Sequence, residues 1–103
     1  VTRQQIASAD YGSYPTNYEE KIKAYFDARL KDPYSAHYRF GVPHKGYTYL
    51  HGTLRAADFG YLVNVYINAK NSFGGYTGEE LHIAFIKNDQ VWETAWMNAK
   101  EVE

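Results

Sequence analysis

The chain has 103 residues and a formal charge of −1, from eleven Lys and Arg against twelve Asp and Glu. That length is one domain. The charge lacks the basic excess that nucleic-acid binding leaves, and no apolar run approaches the ~18–20 residues a membrane-spanning helix needs. Cysteine is absent, which excludes disulfides and thiolate metal sites and fits cytosol and periplasm alike.

Eleven of the eighteen aromatic residues are tyrosine. Tyrosine brings core volume plus a hydroxyl that must reach a partner, so it suits half-buried sheets and recognition surfaces equally. The first residue is Val1 rather than methionine, and both a removed signal peptide and a trimmed chain stay open.

Residues 1–10 are polar and small, with Val1 and Ile6 the larger apolar members, and read as a flexible N-terminal arm. After the turn-rich Tyr11-Gly12-Ser13-Tyr14-Pro15, a helix is predicted. Thr16 with Glu19, or Asn17 with Glu20, makes a capping box. Tyr18, Ile22, Tyr25, Phe26 and Leu30 recur at three- and four-residue spacing, an apolar stripe, and Pro33 stops the helix near 30–32.

From Ser35 the period changes to two. Tyr38, Phe40 and Val42 alternate with His37, Arg39 and Gly41, a first strand. Pro43-His44-Lys45-Gly46 reads as a turn, 47–54 as a second strand and 55–58 as a connection. The central strand is predicted over 60–69. Tyr61, Val63, Val65, Ile67 and Ala69 share one face, while Leu62, Asn64, Tyr66 and Asn68 make a half-polar other face. A strand through Leu81, Ile83 and Phe85, a tight turn at Asn88-Asp89 and a last strand over 91–97 follow, with Trp92 and Trp96 on one face. Residues 99–103 read as a polar tail. The expected fold is α+β: one N-terminal helix packed on a four- or five-stranded antiparallel sheet, the single domain spanning 11–98. A closed small barrel with the helix outside is the alternative.

The chemistry-bearing residues form no catalytic pattern. His37, His44 and His51 are spaced by seven across strand–turn–strand, His82 stands apart, and no pair has helical ligand spacing, so no metal and no cofactor is expected. Glu79 and Glu80 face opposite ways on a strand, and Asp58 is remote in sequence. Ser72 lacks the G-x-S-x-G elbow, and Gly74-Gly75 lacks the lysine and helix of a phosphate loop. No catalytic residue is assigned.

The loop Asn71, Ser72, Phe73, Gly74, Gly75 and Tyr76, flanked by Lys70 and by Thr77-Gly78, is the candidate binding site. It is longer than a two-residue hairpin turn, and ordering its glycines costs entropy. Its two rings either anchor a partner or fold back onto the domain.

Three blocks, Tyr11-Gly12-Ser13-Tyr14-Pro15-Thr16-Asn17-Tyr18, Leu30-Lys31-Asp32-Pro33-Tyr34-Ser35-Ala36 and Asn68-Ala69-Lys70-Asn71-Ser72-Phe73-Gly74-Gly75-Tyr76-Thr77-Gly78, resemble a family of small exported bacterial proteins, many classed as lipoproteins behind a signal peptide. The resemblance implies the periplasm or the outer-membrane-associated envelope, and leaves room for anchoring through a lipid on a removed or absent N-terminus; it carries over no catalytic residue. The expected function is a non-enzymatic envelope domain binding a protein or envelope component. The alternative is a carbohydrate- or peptidoglycan-binding module using Tyr and Trp platforms, with an envelope hydrolase third.

Overall fold

The computed structural model describes residues 1–51 and 56–103. In chain order they form helices α1 (Arg3–Ser8) and α2 (Tyr18–Asp27), a 3₁₀ turn (Pro33–Ser35), and strands β1 (His37–Phe40), β2 (His44–Thr48), β3 (Asp58–Asn68), β4 (Glu80–Lys87) and β5 (Gln90–Thr94). A second 3₁₀ turn (Trp96–Asn98) and the two-residue strand β6 (Lys100–Glu101) complete the set. The sheet is antiparallel and runs β5-β4-β3-β2-β6, with β1 also on β3. The class is α+β as expected, with six strands rather than four or five.

The central strand lies where the alternation predicts. One of its edges is shared end to end: β1 pairs with Val65–Asn68 and β2 with Asp58–Leu62, and between them the Gly41 amide bonds the Asn64 carbonyl at 2.8 Å. The other edge is paired with β4 from Tyr61 to Ile67.

The apolar stripe of α2 meets the odd-numbered face of β3. Ile22 and Phe26 are buried among Val63, Val65, Ile67, Ala84 and Ile86, with Tyr18, Tyr25 and Leu30 at the margin. This packing follows the expected scheme. The helix ends differ: α2 stops at Asp27, with Leu30 reaching back only through its amide to the Phe26 carbonyl. The predicted capping box is also absent. Asn17 occupies the N-cap with φ 53°, in the left-handed region that asparagine tolerates, and its side chain bonds no first-turn amide.

The even-numbered face of β3 departs from its half-polar reading. At the end nearest β2 it is a second core, where Leu62 and Phe85 are buried and Trp92 packs on Phe85 at 5.8 Å. Buried Thr48 on β2 hydrogen-bonds Thr94 on β5. In a flat sheet those strands would lie three spacings apart, roughly 14 Å. The sheet is therefore strongly curled, and the chain beyond Thr94 crosses through Trp96–Asn98 to pair β6 with β2.

That curl explains Gly46, which the sequence suggests as a turn residue but which lies within β2. A Cβ there would stand 2.4 Å from the Leu62 side chain and 2.6 Å from the Lys100 carbonyl. Close approach, not turning, requires the glycine.

Other details differ from the sequence expectations. β5 ends at Thr94, so Trp92 and Trp96 do not share a strand face, and Trp96 is 70 % exposed. Residues read as polar tail include β6, and the Val102 amide donates to the Lys45 carbonyl. Val42 lies beyond β1 and is exposed. Within the stretch read as an arm, Arg3–Ser8 is helical with a reciprocal Thr2–Gln5 capping box, and the Tyr11 hydroxyl donates to the Ile6 carbonyl. The predicted second strand is met only by its overlap with β2 at Tyr47-Thr48; its end at Leu54, and the start of the following connection at Arg55, lie outside the described residues.

Candidate functional site

Beyond Asn68 the β3–β4 connection is braced rather than loose. Lys70 and Tyr76 form an isolated antiparallel bridge. Inside it the Asn71 amide donates to the Gly75 carbonyl at 2.8 Å, and the Gly74 amide to the Asn71 carbonyl at 3.1 Å. The Asn71 side-chain oxygen accepts from the amides of Phe73 and Gly75 at 2.9 and 3.2 Å. Asparagine thus closes the tip through its own side chain, and Gly74 supplies the φ of +84° the turn needs. At the base, the Gly78 amide donates to the Asn68 side chain.

The two rings part company. Phe73 projects from the tip, 95 % exposed. Tyr76 leans on the first 3₁₀ turn, its hydroxyl donating to the Ser35 carbonyl at 3.0 Å and lying 3.2 Å from His37 Nε2. A phenol has one proton to give, so with Ser35 as its acceptor His37 serves as the donor through a protonated Nε2. The Lys70 amide donates to Ser35 Oγ, and the Lys70 ammonium lies 5.6 Å over the Tyr76 ring. On that same 3₁₀ turn Tyr34 is wholly exposed. All six sequence-predicted residues therefore sit on one braced hairpin tip. Tyr34, Ser35 and His37, which support or flank it, are not among the predicted binding residues, because nothing local in the sequence says that they meet the tip.

Beneath the loop lies a cleft of about 410 Å³. Arg29, Leu30 and Lys31 line it from the end of α2, Lys70, Asn71, Ser72 and Thr77 from the loop, and Glu80 and His82 from β4, with Ile67 and Ala69 also lining it. Its origin is a mismatch of lengths. The ten residues of α2 span about 15 Å and the eleven of β3 about 36 Å, so the sheet outruns the helix that covers it.

The polar groups around this end are mostly engaged. His82 Nδ1 lies 2.7 Å from Glu93, Nε2 lies 3.8 Å from Glu80, and the ring packs on Phe26. Glu79 lies just before β4 and Glu80 is its first residue, and the two take different neighbours. Glu79 turns to Arg39, which binds it through two hydrogen bonds of 3.1 Å and holds its carboxyl below the usual range. Tyr38 donates to Asp27 at 2.6 Å, and burial first, then that acceptor, pushes its phenol well above the ordinary value. His37 and His44 sit on β1 and β2, while His51 lies 3.9 Å from Asp58. Among the described residues no three His, Asp or Glu side chains converge on one point, and no helix is long and apolar enough to cross a membrane. No known protein family, curated protein or solved structure matches the chain.

Proposed function

We propose that the chain is a non-enzymatic binding domain of the bacterial envelope, and that it engages a protein or envelope component through the hairpin tip at residues 71–76. One observation carries the reading: a fully presented phenylalanine stands on a loop whose backbone is already ordered. Leaving such a ring in water forgoes roughly 1.5–3 kcal/mol of burial. A tip fixed by Asn71 and by the Tyr76–Ser35 contact binds with little further ordering cost. Tyr34 extends the aromatic surface on the neighbouring turn. The envelope, and anchoring through a lipid on a removed or absent N-terminus, rest on the resemblance of the three sequence blocks to exported lipoproteins.

A photo-crosslinking residue at position 73, with position 20 on the outer side of α2 as control, tests this in envelope extracts. A discrete adduct at 73, missing at 20 and lost on adding Tyr76→Ala, is the expected result. Equal labelling at both positions would sink the reading.

A second observation favours the carbohydrate alternative at a different place. Trp96 and Met97 are 70 % and 72 % exposed beside a groove of about 330 Å³ that includes Tyr47 and Tyr49. Such a shelf suits a sugar face. Retention on a glycan matrix that Trp96→Ala abolishes and Phe73→Ala spares would select it.

A further inference from the structure

The cleft under the loop has a character of its own. Arg29, Lys31 and Lys70 line it with a single carboxylate, Glu80, in a chain whose formal net charge is −1. None of the three cations forms an ion pair with another described residue. Arg29 Cζ lies 3.6 Å from the centre of the Tyr25 ring and Nη1 donates to the Tyr25 carbonyl, two contacts that hold the head in place while its other N–H groups remain able to donate. Lys70 is similarly placed over Tyr76. The one carboxylate lies 3.8 Å from His82 Nε2 on β4. Cations gathered in a concavity reinforce one another's attraction for an anion.

The lining between those heads is apolar: Leu30 from the chain after α2, and Ile67 and Ala69 from the uncovered end of the sheet. A multiply charged, fully hydrated anion would leave that surface unused and would meet Glu80. A singly charged head on a hydrocarbon chain satisfies both parts, and the volume lies within the ~300–1,000 Å³ usual for small-ligand sites. We infer that this cleft holds a carboxylate borne on a short apolar chain, its head among Arg29, Lys31 and Lys70 and its chain against Leu30, Ile67 and Ala69. A fatty carboxylate and an apolar peptide C-terminus share that chemistry. The inference does not rest on Phe73, which does not line the cleft, although the tip residues Asn71 and Ser72 do.

Amide-shift titrations of the ¹⁵N-labelled chain separate the sources. The probes are octanoate, acetyl-Ala-Leu-Leu with a free carboxylate, the same peptide as its amide, and inorganic phosphate. At least one of the two apolar carboxylates is expected to shift the amides of residues 29–31, 69–72 and 77–82 saturably, and the tighter of the two identifies the source. The peptide amide and phosphate are expected to leave them in place. Lys31→Glu with Lys70→Glu should weaken binding about tenfold, two partly solvated charge contacts being reversed, while Arg3→Glu, a charge reversal at an exposed residue that does not line the cleft, leaves it unchanged. If charge reversal lowers Tm, Lys31→Gln with Lys70→Gln gives the same reading with a roughly threefold loss. The inference is overturned if neither carboxylate shifts these amides at millimolar concentration. It is equally overturned if the peptide amide or phosphate matches them, or if affinity survives the loss of both lysine charges.

Discussion

Two phenylalanines divide the molecule into scaffold and presented surface, and truncating each gives opposite results. Phe26 is 3 % exposed, packs edge-on to Tyr25 at 5.2 Å and touches the His82 ring at 5.2 Å from the other side. Its neighbours Val63, Val65 and Ala84 belong to the sheet and cannot collapse into the space a benzyl group leaves. Phe26→Ala should therefore cost about 3–5 kcal/mol. Against a total stability of roughly 5–15 kcal/mol for a chain of this size, that is a drop in Tm of about 15–30 °C. Phe73→Ala removes a ring 95 % in water and should change stability by less than about 0.5 kcal/mol. Thermal melts and urea titrations of both variants, followed by circular dichroism, make the comparison. A Phe26→Ala curve that overlays wild type would refute the helix-on-sheet core. A loss of ~3 kcal/mol or more at Phe73 would show that its ring is core and remove the reason for placing recognition there.

Further outcomes follow from single contacts. Gly60→Ala places a Cβ 2.7 Å from both the Ile86 carbonyl and the Phe85 ring, and should destabilise by about 1–3 kcal/mol in urea; an unchanged midpoint would contradict the close approach of β3 and β4. Thr48→Val should cost about 1–2 kcal/mol, with Thr48→Val/Thr94→Val recovering part of the loss because no hydroxyl is then left unpartnered; a double variant no better than the sum of the single ones would argue against the contact. The raised Tyr38 phenol stabilises the fold while it is protonated, so that contribution is complete below the unfolded tyrosine value of about 10 and fades as pH rises above it. Between pH 9 and 11, Tyr38→Phe should lose stability less steeply than wild type; identical slopes would show that Tyr38 titrates alike in both states.

Much of the fold is legible because two periodicities are clean. The α2 stripe and the alternation through Val63, Val65 and Ile67 each identify a buried face, and the structure joins them. What escapes reading is whatever depends on curl. Gly46 resembles a turn residue and is a packing residue, since nothing local says that Leu62 and Lys100 will close on it. β6 is only two residues long, held by a strand distant in sequence, and has no pattern to detect. The site divides in the same way. Asn71 and its glycines announce a shaped loop, but the cleft below arises from the unequal lengths of α2 and β3. Two of its cations, Arg29 and Lys31, stand in the chain just past α2, and the third, Lys70, opens the loop after β3.

The pairing of β2 with β6 sets an order of assembly. β3, β4 and β5 are sequential neighbours joined by hairpins, so their contacts form at a modest loop-closure cost. Gly46 and Glu101 are more than fifty residues apart, and a two-residue ladder with the Val102–Lys45 bond beside it rewards their meeting. The rolled end containing Thr48 and Thr94 is thus the last part to close during folding and the first to open under stress, while the helix-covered core persists. That places the molecule's two candidate surfaces in different stability classes. The tip bearing Phe73 extends the early-forming β3–β4 pair, whereas the Trp96 shelf exists only once the roll has shut.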